Sequence, residues 1–216
     1  MLGLLFDLDG TLLNTLEDLK DATNHCLKAW GFPEKSLEEI RKVVGSGALN
    51  QIRKSLPEGT DEKTVEGILK DYKAYYAAHC QGKTAPYEGI LQAVENLKKE
   101  YPVAIVSNKP DEAVKTLCRQ YFGDIYALGE SPDCPRKPAP QMVKKGMEAI
   151  GADRCIYVGD SEVDILTAKN AGVPCLSVLW GFRDREMLEE NGGRWFCSRP
   201  EEMKDAICRI RKEMSL

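Results

Sequence analysis

The sequence has only two histidines, His25 and His79, and no two of its eight cysteines are spaced as C-x-x-C. That spacing is the usual signal of a structural zinc site, so the cysteines give no indication of one. Eight cysteines spread over 216 residues are also too sparse for a small domain held together by disulfides. Both histidines lie in the helical region between residues 15 and 82, away from the polar residues described below, which argues against a hydrolase with a Ser-His-Asp triad.

Long apolar runs and an excess of basic residues are absent as well. No segment approaches the ~20 apolar residues that span a membrane, and Met1–Phe6 is too short for a signal peptide. The 30 basic residues are interspersed with 34 acidic ones, which gives a net charge of −4 and no basic stripe for nucleic acid. We therefore expect a cytoplasmic protein, monomeric or homodimeric, that binds neither nucleic acids nor membranes.

The chain divides into two kinds of sequence pattern. From residue 15 to residue 82, apolar residues recur at helical spacing in four successive stretches, which predicts a helical bundle. From residue 83 onward, helical and strand-like stretches alternate, which predicts a parallel sheet with helices on both faces. The opening strand needs such a sheet to join. We therefore expect a Rossmann-like α/β core formed by residues 1–14 and 83–216, with an inserted four-helix cap domain at 15–82.

Two carboxylates follow directly on the first apolar segment, Leu2–Phe6. Asp7 and Asp9 are two residues apart, so in an extended chain their side chains project from the same face. Gly10 then permits a sharp turn. Two anions this close repel each other, and a divalent cation with a preference for oxygen ligands, such as Mg²⁺, relieves the repulsion. A polar turn after an edge strand is the structural alternative.

Two later segments end in groups suited to phosphate binding. Ser107 and Asn108 end a strand-like segment just before Pro110, which can open a helix. A hydroxyl beside the free amides of a helix N-terminus forms an anion site. Lys137 lies in the proline-rich loop Pro135–Pro140, which fixes the direction of a charge suited to a phosphoryl oxygen. Taken singly, Ser107 is also explained as a helix cap and Lys137 as part of a solvated turn.

A second carboxylate pair follows the strand-like segment Cys155–Gly159. Asp160 and Asp164 are spaced to lie on one face at the start of a helix. Helix capping accounts for one aspartate but not for two on the same face. Because sites in open parallel sheets lie at the carboxyl ends of the strands, we expect all of these groups to converge on one cleft.

The segments that carry this chemistry are DLDGTL at 7–12, VSNKP at 106–110, KPAP at 137–140 and GDSEVD at 159–164. In this combination and order they resemble the haloacid dehalogenase-like hydrolase superfamily, and within it the phosphoglycolate phosphatase group. The resemblance covers nearly the whole chain, with a helical cap inserted after the first motif. It departs at Asn14, where relatives often have Asp, and at Ser107, where many have Thr. The second acid, Asp9, argues against a dehalogenase.

The resemblance implies a magnesium-dependent phosphatase that works through an aspartyl-phosphate intermediate. Asp7 would be the nucleophile, Asp9 the general acid and base, and Lys137 the cation that offsets negative charge during transfer. Asp7, the backbone carbonyl of Asp9 and Asp160 would hold Mg²⁺, and Asp164 would support this metal site.

The resemblance also implies where the substrate binds. Gly10, Thr11, Ser107 and Asn108 would contact a small phosphate ester, with 2-phosphoglycolate as the first candidate. The helical cap would act as a lid. Its Gly45–Gly47 loop is the cap element that we expect to reach the leaving group, although a plain interhelical turn explains that loop equally well.

Other functions remain open at this stage. A phosphomutase resembling beta-phosphoglucomutase, a pyrophosphatase and a sugar phosphatase would share the same core. Outside enzymology, a phospho-acceptor signalling domain also uses aspartates, a hydroxyl and a lysine on a parallel sheet. That class requires neither a second acid two residues after the acceptor nor an inserted helical lid.

Overall fold

A six-stranded parallel sheet forms the centre of the computed structural model, which describes all 216 residues. Its strands are β1 (Leu2–Phe6), β4 (Val103–Pro110), β5 (Tyr126–Glu130), β6 (Arg154–Gly159), β7 (Cys175–Val178) and β8 (Trp195–Cys197). Their order across the sheet is β5-β4-β1-β6-β7-β8. The chain thus builds outward from β1 in both directions, and this arrangement opens a crevice at the carboxyl ends of the central strands.

Helices cover both faces of the sheet, as the sequence predicts. They are α5 (Ile90–Lys98), α6 (Asp111–Phe122), α7 (Gln141–Ala149), α8 (Glu162–Ala171), α9 (Arg185–Glu190) and α10 (Met203–Met214). Alternate residues of β1 point to opposite faces. Leu5 joins an apolar cluster with α7, α8 and α9, whereas Leu4 and Phe6 join a larger cluster with α5, α6 and α10. The α/β fold class is confirmed.

The segment between β1 and β4 contains the inserted helical bundle. Its helices are α1 (Leu16–Ala29), α2 (Leu37–Val43), α3 (Ala48–Ser55) and α4 (Glu62–His79). Ser36 begins α2 with a capping box, in which the Ser36 amide donates to Glu39 at 2.8 Å and the Glu39 amide donates to the Ser36 hydroxyl at 3.2 Å. The four predicted helices are therefore present, and the limits predicted for the cap domain, residues 15 and 82, stay predictions.

Two short strands join the bundle to the α/β core. They are β2 (Leu13–Asn14) and β3 (Ala85–Pro86), and they pair antiparallel. Asp18, at the start of α1, accepts the amides of Lys83 and Thr84 at 2.9 and 2.8 Å, respectively. The chain thus enters and leaves the cap at one place. The sequence does not predict this pairing, because two residues carry no periodicity.

Two elements near the C-terminal end are also missing from the sequence-based prediction. The strand β8 has three residues and the helix α9 has six, and both are too short for an apolar period to be recognised. β8 is placed by its pairing with β7. None of the ten helices combines the length and the apolarity that crossing a membrane requires.

Candidate active site

The predicted polar residues are grouped at the carboxyl edge of the central strands. Asp7 follows β1 and Asp160 follows β6, and the amide of Asp7 extends the pairing of these strands by donating to Val158 at 2.9 Å. Ser107 lies within β4, next to β1. Lys137 comes from the loop between β5 and α7. The parallel sheet thus brings four distant segments of the sequence to one place.

Lys137 lies between two carboxylates. Its Nζ is 2.8 Å from Asp7 Oδ1 and 2.8 Å from Asp164 Oδ1, and it donates to the Tyr157 hydroxyl at 3.0 Å. Only 1% of the Lys137 side chain is exposed. Burial alone would lower the pKa of Lys137, but Asp164 and Asp7 outweigh burial and raise it. Lys137 is therefore a fixed cation beside Asp7.

Three buried carboxylates form a cluster around this lysine. Oxygen atoms of Asp7, Asp160 and Asp164 lie within 4.8 Å of one another. Burial, reinforced by Asp164, raises the pKa of Asp7 to about 7 in spite of Lys137. Burial and the neighbouring carboxylates also raise the pKa of Asp160. One ammonium among three buried carboxylates leaves an excess of negative charge that a divalent cation relieves.

The hydrogen bonds already made by these carboxylates distinguish their roles toward such an ion. Asp7 Oδ1 accepts from Lys137 and from the amide of Leu8 at 2.7 Å, and no protein group donates to Asp7 Oδ2. Asp164 has no such free oxygen. Its Oδ1 pairs with Lys137, and its Oδ2 accepts from the Ser161 hydroxyl at 2.6 Å. Asp7 thus fits a direct ligand of a cation that prefers oxygen, and Asp164 fits a supporting residue.

Gly10 and Thr11 enclose Asp160 from the side of β1. Gly10 has a φ of +81°, and a Cβ built on it would lie 2.3 Å from Asp160 Oδ2, so only glycine fits this turn. Thr11 Oγ1 donates to Asp160 Oδ1 at 3.3 Å, and the Phe182 amide donates to Oδ2 at 2.7 Å. Each Asp160 oxygen retains a lone pair for a cation. The predicted contact of Gly10 and Thr11 with substrate stays a prediction, because neither lines the cavity described below.

Asp9 is held apart from the carboxylate cluster by a lysine that the sequence analysis does not assign. Lys109 Nζ lies 2.9 Å from Asp9 Oδ1 and donates to Asp9 Oδ2 at 3.0 Å. It also donates to the hydroxyl of Tyr76, on the cap helix α4, at 2.6 Å. Both carboxylate oxygens of Asp9 thus contact one buried ammonium. The signal in the sequence was a lysine inside an otherwise uncharged buried strand, β4.

The side chain of Asn108 ties two loops together. Its Nδ2 donates to the carbonyl oxygens of Gly45 and Lys137 at 3.1 and 3.0 Å, and its Oδ1 accepts the Lys137 amide at 2.7 Å. These bonds position Lys137 and attach the cap to the core. The Ser107 hydroxyl accepts only the amide of Lys109, at 3.3 Å, and its proton is free to donate to an anion. The predicted contacts of Ser107 and Asn108 with phosphate stay predictions. For Asn108 the backbone amide would make this contact, because the side chain is already bonded to Gly45 and Lys137.

A small cavity of about 30 Å³, open in part to solvent, lies between the core and the cap. The core contributes Asp7, Asp9, Ser107, Asn108, Lys109 and Pro110, and the cap contributes Leu19, Val44, Gly45, Gly47, Ala48, Gln51, Tyr72 and Tyr76. Two glycines of the Gly45–Gly47 loop therefore line the cavity, and contact of this loop with a leaving group stays a prediction. Asp7 and Asp9 are both accessible from this cavity.

Two arginines hold the cap against the core beside the cavity. Arg183, which follows β7, donates to the carbonyl oxygens of Arg41 and Val44 at 2.7 and 2.9 Å. Arg41, on α2, donates in return to the carbonyl oxygens of Phe182 and Gly181 at 2.7 and 3.3 Å. The sequence does not predict this reciprocal contact. It links the end of α2 to the segment whose Phe182 amide binds Asp160.

Comparison with known proteins places this arrangement in a family. The family model described as haloacid dehalogenase-like hydrolase matches residues 4–178. A phosphoglycolate phosphatase of Rhodobacter capsulatus is 33% identical over 188 residues, which cover 84% of this chain and 85% of the relative. A phosphoglycolate phosphatase of Mesorhizobium japonicum is 32% identical over 197 residues, which cover 86% of each protein.

A solved structure shares both the fold and the sequence. A candidate phosphoglycolate phosphatase from Lactobacillus delbrueckii subsp. bulgaricus has a TM-score of 0.89 at 35% identity. The match covers 95% of this chain and 97% of the other. It therefore includes both the α/β core and the helical cap.

Proposed function

The chain belongs to the haloacid dehalogenase-like hydrolases, and from this premise we propose that it is a magnesium-dependent phosphatase of small phosphate monoesters. The observation that carries the proposal is the placement of the two acids of the first motif. Asp7 lies beside the fixed cation Lys137 with one oxygen free of protein donors. Asp9 lines the same cavity, and both of its oxygens lie within 3.0 Å of the Lys109 ammonium. One acid is thus available as a nucleophile and the other for proton transfer.

The chemistry proceeds in two steps at these residues. An oxygen of Asp7 attacks phosphorus, the bond from phosphorus to the ester oxygen breaks, and Asp9 gives its proton to the departing alkoxide. Water then attacks the aspartyl-phosphate, Asp9 takes a proton from that water, and inorganic phosphate leaves with Asp7 restored. Lys137 offsets the negative charge beside Asp7 in both steps, and the Ser107 hydroxyl donates to a phosphate oxygen.

Asp7 and Asp160 would hold Mg²⁺, together with the backbone carbonyl of Asp9. When bound, Mg²⁺ supplies charge neutralisation for the phosphoryl group and for the crowded carboxylates. Asp164 supports the site by fixing Lys137 and the amide of Ser161. The donor set is made of oxygen atoms only, which is the set that Mg²⁺ prefers.

The substrate is a small ester, and 2-phosphoglycolate is the first candidate. The cavity is confined between cap and core, which disfavours polymers and phosphoproteins. The relatives from Rhodobacter capsulatus and Mesorhizobium japonicum are named as phosphoglycolate phosphatases and match over most of their length.

A phosphate-release assay over a panel of esters tests the proposal. The panel contains 2-phosphoglycolate, hexose phosphates, pyrophosphate and 4-nitrophenyl phosphate, each with Mg²⁺ and with EDTA. We expect turnover only with Mg²⁺ and the highest kcat/KM for 2-phosphoglycolate. Full activity after exhaustive chelation would refute the metal requirement. A strong preference for hexose phosphates or pyrophosphate would refute the substrate, and conversion of a sugar phosphate to its isomer without phosphate release would indicate a mutase.

A further inference from the structure

The segment Trp180–Arg183, which follows β7, lies between the carboxylate of Asp160 and the cap. A Cβ built on Gly181 would lie 2.3 Å from Asp160 Cβ, so only glycine lets the backbone approach this closely. Trp180 Nε1 donates to the carbonyl oxygen of Thr11 at 2.9 Å, and the Thr11 hydroxyl in turn donates to Asp160. The segment therefore packs against Asp160 and holds one of its hydrogen-bond donors in place.

The peptide group between Gly181 and Phe182 is hydrogen-bonded at both ends. Its N–H donates to Asp160 Oδ2 at 2.7 Å, and its carbonyl oxygen accepts from Nη2 of Arg41, on the cap helix α2, at 3.3 Å. The Nε of Arg41 donates to the next carbonyl oxygen, that of Phe182, at 2.7 Å. A peptide group whose carbonyl oxygen accepts from a cation is a stronger donor at its N–H, because hydrogen bonds in a chain polarise one another. The Arg41 guanidinium is thus connected to Asp160 through a single peptide group.

This contact depends on the shape of the arginine side chain. A guanidinium carries its donors in a fixed plane and can reach two successive carbonyl oxygens, whereas the ammonium of a lysine is a point charge. The other charged neighbour of Arg41 is Glu38, on the same helix, at 3.9 Å. Arg41 does not line the cavity, so its effect on the reaction has to pass through the residues that it binds.

From these contacts we infer that Arg41 is a positioning residue, which acts on Asp160 through the Gly181–Phe182 peptide group and raises the affinity of the site for Mg²⁺. The inference rests on the proposed magnesium-dependent function and deepens it by adding a residue of the cap to the metal site. Hydrogen bonds that orient a carboxylate ligand strengthen metal binding. The coupling is reciprocal, so a cation bound at Asp160 also stabilises α2 against the core.

Direct measurement of Mg²⁺ binding tests the inference. The dissociation constant is measured without substrate, by calorimetric titration of the metal-free protein with Mg²⁺, in the wild type, Arg41→Lys and Arg41→Met. Lys42→Met, at an exposed position of the same helix, is the control for loss of one positive charge. Arg183→Lys is the control for a loosened cap, because it weakens the bonds to the carbonyl oxygens of Arg41 and Val44 and leaves the Arg41 side chain unchanged.

We expect the dissociation constant to rise about 3- to 10-fold in both Arg41 variants, which is less than the loss for a direct partner of a metal ligand. Lys42→Met and Arg183→Lys should leave it unchanged. The sign is informative, because removal of a nearby positive charge would by itself favour a cation. An unchanged or tighter affinity in Arg41→Met, or an equal rise in Arg183→Lys, would overturn the inference.

Hydrogen exchange of the wild type gives a second readout that does not require a variant to fold. Mg²⁺ should slow the exchange of the amides in α2, and Arg41→Lys should lose this protection. Exchange in α2 that does not respond to Mg²⁺ in the wild type would overturn the inference. Mg²⁺ binding that Asp160→Asn abolishes and the Arg41 variants leave unchanged would overturn the inference alone. A wild type that does not bind Mg²⁺ would overturn both the inference and the metal requirement of the proposed function.

Discussion

Two buried lysines serve different carboxylates at this site. Lys137 is bound to Asp7 and Asp164, and Lys109 is bound to Asp9. Removing either lysine leaves a carboxylate buried without its counter-ion, which is far more costly than the loss of an exposed ion pair. Asp7 and Asp9 are thus only two residues apart but have different counter-ions.

The separation of Asp7 and Asp9 predicts different defects for their amide variants. Asp7→Asn should lower turnover by on the order of 10⁴-fold or more, because no other group can accept the phosphoryl. Asp9→Asn should lower it by about 10²- to 10⁴-fold and still form the aspartyl-phosphate from 4-nitrophenyl phosphate, whose leaving group needs no proton. Intact-mass spectrometry after rapid quenching detects the adduct. Near-wild-type turnover by Asp7→Asn would exclude the mechanism.

The carboxylate cluster predicts how metal and pH affect stability. The pKa of Asp7 is raised to about 7, against ~3.9 for an unfolded aspartate. Between about pH 4 and pH 7, the native protein without metal therefore keeps a proton on Asp7 that the unfolded chain releases. The contribution of Asp7 to the free energy of unfolding is fully present below about pH 4 and is lost as the pH rises through about 7. Asp160 shifts in the same direction.

Asp160→Asn removes one charge from the cluster and keeps an acceptor for Phe182. In EDTA at pH 8 we expect its Tm to exceed that of the wild type by about 2 to 6 °C, and this difference should shrink at pH 5.5. Mg²⁺ should raise the Tm of the wild type and have little effect on the variant. Thermal melts at both pH values, with and without Mg²⁺, provide the measurement. An equal Mg²⁺ response in the two proteins would contradict the assignment of Asp160 as a ligand.

At the level of elements, the sequence predicts the strand ends well because each places a polar group directly after a buried apolar run. The carboxyl ends of parallel strands then lie at one edge of the sheet, whatever the conformation of the connecting loops. Lys109 is missed because its acceptors, Asp9 and Tyr76, lie 100 and 33 residues away. The hydrogen bonds from the Asn108 side chain to Gly45 and Lys137 are missed for the same reason. Contacts between cap and core depend on how two elements pack against each other. The spacing of apolar residues along the sequence does not indicate that packing.

The docking of α2 predicts a role for Arg183 in closing the cap. Arg183→Lys keeps the charge but cannot reach the carbonyl oxygens of Arg41 and Val44 together. We expect KM to rise by about 10-fold, since each lost charge-assisted hydrogen bond is worth ~1.5 kcal/mol, with less effect on kcat. Arg185→Lys is the control, because Arg185 pairs with Glu189 and stacks on Phe196 and contacts no residue of the cap. A fall in kcat with unchanged KM would show instead that Arg183 acts through Asp160.

On the scale of the whole molecule, cap and core share one apolar interior. Ile52 and Ile68 of the cap belong to the same cluster of 42 buried residues as Phe6 and Ile105 of the sheet. The cap is therefore not an independent unit that merely rests on the core. A movement of the cap that exposed this shared interior to water would be costly.

This continuity predicts that cap and core unfold together. Trp30 reports on the cap, where its Nε1 donates to Asp71, and Trp180 and Trp195 report on the core. The Trp30→Phe variant keeps only the core probes, and the Trp180→Phe, Trp195→Phe double variant keeps only the cap probe. The urea transitions that these two variants report by fluorescence should coincide. Ile68→Ala, which empties a buried cap position at a cost of about 2 to 5 kcal/mol, should shift both probes equally. A cap transition that moves ahead of the core transition would show that the shared interior does not couple the two.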